Sequence, residues 1–226
     1  PEQVKQTEDL VNAAIARDQA NDQGNNCSPC TSLTTSFTIT STTTDPILFV
    51  GGATNGLRFI TNVTYAGANM TRISTSTNDG NYVHTLWYKN APATGANNVV
   101  ISGSASGLIV GVFASYTDVN ANVIYTGGSP TDNASTTASD SSPLRNTVTT
   151  IADNSWMVML GVVPGGGMGI DNTASTTCFS TDTCNQSWAI FDNKGNGAIT
   201  PAKAYQMGIT GGGTGLNNLM ASFSPV

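Results

Sequence analysis

His84 is the only histidine of this 226-residue chain, so any Ser-His-Asp hydrolytic apparatus would have to be built around it. No G-x-S-x-G nucleophile elbow accompanies it. His84 alternates with Tyr82 and Leu86, a pattern that predicts a strand and a partly buried, hydrogen-bonded imidazole. The 14 carboxylates are spread along the chain, whereas a glycosidase needs two of them facing each other across a cleft. Asp79, Asp132, Asp140 and Asp171 sit beside Gly, Asn or Ser, where turn formation accounts for them. Asp192-Asn193-Lys194-Gly195-Asn196-Gly197 opens like a calcium loop. However, Lys194 stands where an oxygen ligand belongs, and Lys203 where the bidentate Glu belongs. An EF-hand is therefore excluded. An irregular calcium site here, or around Asp118, Asn120 and Asn122, competes with the plainer reading of two Asn/Gly-rich turns. No other cofactor is expected, and no enzymatic activity.

Four cysteines form two close pairs, Cys27/Cys30 and Cys178/Cys184. Four allow three connectivities. The second pair is spaced too widely for a CxxC…CxxC zinc site, and Cys27-Ser28-Pro29-Cys30 lacks the strand-then-helix context of a redox motif. Two local disulfides, Cys27–Cys30 and Cys178–Cys184, are the expectation. Trp87 and Trp156 lie inside apolar runs and read as core; Trp188 is the tryptophan best placed to stack against a sugar. Four N-x-S/T sequons, at Asn62, Asn69, Asn133 and Asn185, are candidate glycosylation acceptors, though an Asn- and Thr-rich chain produces such matches by chance.

Composition limits what could hold these residues. Charged side chains are 10% of the chain, against about 25% in ordinary soluble domains. The longest apolar run, Trp156 to Val163, is far short of the ~20 residues that span a bilayer, so no transmembrane segment is expected. The surface must then be neutral and polar, which favours an extracellular or cell-surface setting. A net charge of −6 with scattered basic residues excludes nucleic acid as a partner. The chain is expected to be a mature one, processed ahead of Pro1.

Two sequence grammars follow one another. Within Pro1 to Asn26, Val4, Thr7, Val11, Ala14 and Ile15 fall near one helical face, with Pro1 as a start and Gly24 as a stop. From Thr31 onward, alternating runs such as Leu33/Phe37/Ile39 among threonines, Phe59 to Tyr65 and Leu108 to Tyr116, and the apolar strand Trp156 to Val163, are separated by turn signals. The prediction is a mainly β protein: an antiparallel β-sandwich or jelly roll over residues 31–226, with an N-terminal helical extension over residues 1–30 that serves as an assembly segment. One apolar core is expected, since no second core signature is visible.

The run Val63-Thr64-Tyr65-Ala66-Gly67, followed by Leu86-Trp87-Tyr88, Pro92-Ala93-Thr94-Gly95, Val110 to Val119 with Ser115-Tyr116, and Ala221-Ser222-Phe223-Ser224-Pro225, resembles a β-sandwich (jelly-roll) domain family of secreted and cell-surface proteins from environmental bacteria. The resemblance covers roughly Thr31 to Val226. It implies the fold and the extracellular setting. The family is largely without assigned activity, so the resemblance carries no catalytic residue. Together these readings lead to a structural subunit of an extracellular, pilus-like filament or surface assembly. Its partner is expected to be further copies of itself, contacted through Val4, Val11 and Ile15 and through strand exchange by Ser32 to Thr40, with Phe37 and Ile39 filling a neighbour's groove. The alternative is a secreted glycan-binding or adhesive β-sandwich module.

Overall fold

β-branched and aromatic residues dominate the apolar runs, and the chain folds as strands throughout its described parts. The computed structural model describes residues 14–40, 45–56, 58–78, 82–125, 144–150, 153–163, 168–171, 177–178, 188–192, 204–211 and 216–225. The strands are β1 (Ala16–Ile39), β2 (Ile47–Asn55), β3 (Ile60–Tyr65), β4 (Ala68–Asn69), β5 (Thr71–Asn78), β6 (Tyr82–Asn90), β7 (Gly95–Thr117), β8 (Val119–Tyr125), β9 (Leu144–Thr149), β10 (Trp156–Val162), β11 (Gly169–Asp171), β12 (Thr177–Cys178), β13 (Trp188–Asp192), β14 (Ala204–Thr210) and β15 (Asn217–Pro225). A seven-stranded sheet runs β4-β3-β7-β2-β6-β5, with β1 on the far side of β7. A five-stranded sheet runs β12-β13-β10-β15-β8, and a three-stranded one β11-β14-β9. The fold is mainly β and antiparallel, as expected.

No helix occurs among the described residues. From Ala16 on, the segment expected to be helical is strand β1, which continues unbroken past residue 30. The reason lies in β7, which pairs with β1 from Ala16↔Thr117 to Ile39↔Gly95. A ladder of that length satisfies the backbone more fully than a helix with a thin apolar face could. Val4 and Val11 lie outside the described residues.

The seven-stranded sheet curls upon itself because β7 serves two sets of strands. Its second half pairs with β2 (Thr54↔Ile109 to Ile47↔Tyr116), and its first half pairs with β3 (Ile60↔Gly103 to Tyr65↔Val99). Between the halves, Ser104, Ala105 and Ser106 are exposed at the bend, where Ser104 N–H donates to Phe59 O at 2.8 Å. The concave side closes over one apolar cluster, which includes Leu33, Phe37, Ile39, Leu48, Val50, Ile101 and Phe113. Gly52 and Gly111 face each other in register at the closest approach. A Cβ on Gly52 would lie 2.4 Å from Ile60 Cδ1, and one on Gly111 2.6 Å from Ile101 Cδ1. Gly111→Val is accordingly expected to cost about 1–3 kcal/mol by overpacking. Urea unfolding should show a lower midpoint at unchanged m-value.

Two further clusters extend the stack, in place of the single core expected. The convex side of the curled sheet packs on the five-stranded sheet through Ile47, Phe49, Val112, Tyr116, Val158, Leu160, Ile190 and Phe223. The other face of the five-stranded sheet packs on the three-stranded one through Met157, Met159, Phe191, Met207 and Ile209. Every residue of β10 is buried, with Val158 and Leu160 facing one cluster and Met157 and Met159 the other. Strands buried on both faces read as continuous apolar runs, which is why no second core announces itself in the sequence.

Candidate assembly surface

Two of the five expected contact residues, Phe37 and Ile39, fall on β1, and a third, Ile15, directly precedes it. Ile15 is buried against the convex-side cluster. Phe37 and Ile39 are 5% and 1% exposed, and Phe37 packs on Phe113 with ring centroids 5.7 Å apart. These side chains fill the chain's own core, so what β1 can offer another copy is its backbone edge. Along β1 from Leu33, the pattern alternates. Leu33, Phe37 and Ile39 are buried and Thr35 is half-buried, whereas Ser32, Thr34, Ser36 and Thr38 are exposed. Among the described residues β1 pairs only with β7, so its outer edge has no strand partner.

The first half of β1 is fixed by charge. Arg17 donates from Nε and Nη2 to both carboxylate oxygens of Asp192 at 2.9–3.1 Å. Tyr116 Oη donates to Asp192 Oδ2 at 3.1 Å. Asp192 is 0% exposed and Arg17 16%. The Tyr116 phenol is held well above its ordinary pKa, first by burial and then by the negative charge of Asp192. This cluster ties β1 of the curled sheet to β13 of the five-stranded sheet. Nothing in the sequence pointed to it, since Arg17 and Asp192 are 175 residues apart. Both oxygens of Asp192, the first residue of the calcium-loop-like stretch, accept hydrogen bonds in this cluster. Residues 193–197 lie outside the described residues. Asp18 is similarly occupied, accepting from Ser115 Oγ at 3.0 Å and from Thr40 N at 3.0 Å and Oγ1. Among the described residues no group of three or more His, Cys, Asp or Glu side chains could hold a metal ion.

Cys27 and Cys30 form a disulfide, at the point where β1 bends opposite Gly107 of β7. Cys184 lies outside the described residues, as does the side chain of Cys178. Asn62 and Asn69 come together on the β3–β4 hairpin, where Asn62 Nδ2 donates to Asn69 Oδ1 at 3.0 Å. Asn69 is exposed and Asn62 half-buried. Asn133 and Asn185 lie outside the described residues.

His84 takes a different place from the one expected. It is 0% exposed, and neither ring nitrogen has a hydrogen-bond partner among the described residues. Burial pushes its pKa down to about 3. At neutral pH the enclosed imidazole is therefore uncharged. Trp87 and Trp156 are core residues, as expected. Trp188 is half-buried and meets Tyr82 edge-on, at 6.1 Å between centroids and 68° between planes. No protein family, curated protein or solved structure matches the chain. Its geometry therefore carries the functional reading. No helix among the described residues is long and apolar enough to cross a membrane.

Proposed function

We propose that this chain is a structural subunit of an extracellular fibre or surface assembly, a jelly-roll-type β-sandwich whose copies join through β1. The observation that carries the reading is the outer edge of that 24-residue strand, which has no partner among the described residues. A sheet edge is a row of main-chain donors and acceptors, and another chain can complete it. The sparse charge of the chain, 10% of its residues, limits the repulsion between copies. The Cys27–Cys30 disulfide suits an oxidising compartment. The glycan-binding alternative has less support, because Tyr82 and Trp188 stand edge-on.

Sedimentation and negative-stain images of the purified full chain, across a concentration series, test the reading. Oligomers or filaments that grow with concentration are expected. A monomer at every concentration up to the solubility limit would rule the proposal out.

A further inference from the structure

The two halves of β1 differ in how their outer edge is protected. Natural sheets blunt exposed edges with charges, bulges and proline. The first half has all three. Arg17, Asp18 and Asp22 are charged, Pro29 interrupts, and register shifts fall at Arg17/Gln19, Asn21/Asn25, Cys27/Cys30 and Cys30/Ser32. The second half has none. Ser32↔Ser102 through Ile39↔Gly95 is an uninterrupted ladder of eight rungs. No charged residue and no proline occurs between Cys30 and Asp45.

From this contrast we infer that Ser32–Ile39 is an interaction edge for a second copy of this chain, paired antiparallel with the same segment about a two-fold axis near Thr35. The inference rests on the reading of the chain as a self-associating subunit, and adds the segment, the partner and the register. Several observations favour the same segment as occupant. An uncharged strand meets an identical uncharged strand without repulsion, whereas a partner carrying acidic or basic residues would find no counter-charge here. With Thr35 opposite Thr35 of the second copy, the alternation matches itself. Leu33 falls opposite Phe37 on the buried side, and Thr34 opposite Ser36 on the exposed side. Cross-strand hydroxyl pairs and apolar pairs are each favourable in antiparallel sheets. Phe37 and Ile39 stay in their own core, so neither copy must unfold to join. A two-fold contact closes on itself, which makes the dimer the building block of any larger assembly. One strand pair is a small interface, at the low end of specific protein–protein contacts.

Three proteins test this. Thr35→Cys, otherwise native, should form a Thr35-position disulfide dimer on mild oxidation, because directly opposed strand positions lie within disulfide reach. Thr34→Lys/Ser36→Lys places like charges opposite each other in the proposed register. It should raise the dimer Kd by at least about tenfold in sedimentation velocity while leaving the thermal transition in place. Mixing it with Thr34→Glu/Ser36→Glu should restore a heterodimer. If assemblies form but the Thr35→Cys chain does not cross-link and the lysine variant still associates, this pairing is overturned and the subunit reading survives. If the wild-type chain is monomeric throughout, both are overturned.

Discussion

Arg17→Met is expected to destabilise the fold by about 3–5 kcal/mol, the usual consequence of leaving a buried charge without its partner. Asp192 is fully enclosed and takes bonds from Arg17 and from Tyr116. Without the guanidinium, the carboxylate would either stay ionised in an apolar surrounding or take up a proton. Both outcomes cost free energy. A drop in melting temperature of roughly 10 °C should result for a domain of this size. The double variant Arg17→Met/Asp192→Leu should recover much of the loss, since a well-packed apolar pair can match a buried ion pair. The contrary result is a single-variant loss under about 1 kcal/mol. That would class the pair with exposed, weakly contributing ion pairs.

The second large effect is acid sensitivity from His84. In the unfolded chain the imidazole has its ordinary pKa of 6.5, while in the fold burial holds it near 3. Below pH 6.5 the unfolded state therefore binds more protons than the folded one, and stability falls as pH falls, down to about pH 3. Above pH 6.5 the contribution is complete. Between pH 7 and pH 4 the loss attributable to this group is about 3 kcal/mol. Carboxylates titrate in part of the same window, so the measurement is a comparison. His84→Leu should flatten the stability profile over that range by about the stated amount. At pH 7 it should be neutral or stabilising, because it removes two buried nitrogens that have no partners among the described residues. Parallel profiles for the two proteins would show that His84 is not enclosed as described.

What the sequence made legible was decided by how local the signal is. Alternation in Leu33, Phe37 and Ile39 marked both a strand and its inward face. The apolar run Trp156 to Val163 marked a strand with Trp156 in the core, and β10 proved buried on both sides. The polar stretch from Arg17 to Asn26 misled because its own residues express no strand preference. Its conformation comes from β7, far along the chain. The spacing of Ile15 suggested a helical contact with another copy, whereas its side chain is buried in the chain's own core. The Arg17–Asp192–Tyr116 cluster was invisible for the same reason, as three isolated polar residues carry no pattern. The hydrogen-bonded histidine expected at position 84 failed in the opposite way. Its strand context and burial were readable, but whether a partner atom stands nearby depends on three-dimensional neighbours alone.

The pairing of β1 with β7 also sets the order in which the chain can reach its native state. Every rung of that ladder joins residues roughly 50–100 positions apart, a separation that places the protein among slow, high-contact-order folders. During synthesis, β1 leaves the ribosome long before β7 exists to receive it. Until then its apolar positions Leu33, Phe37 and Ile39 stay uncovered. The Arg17–Asp192 contact forms later still, once β13 has emerged. β1 therefore waits until β7 has been made, and the neutral Thr- and Ser-rich character of Thr31 to Thr44 keeps that waiting segment hydrated as well as uncharged.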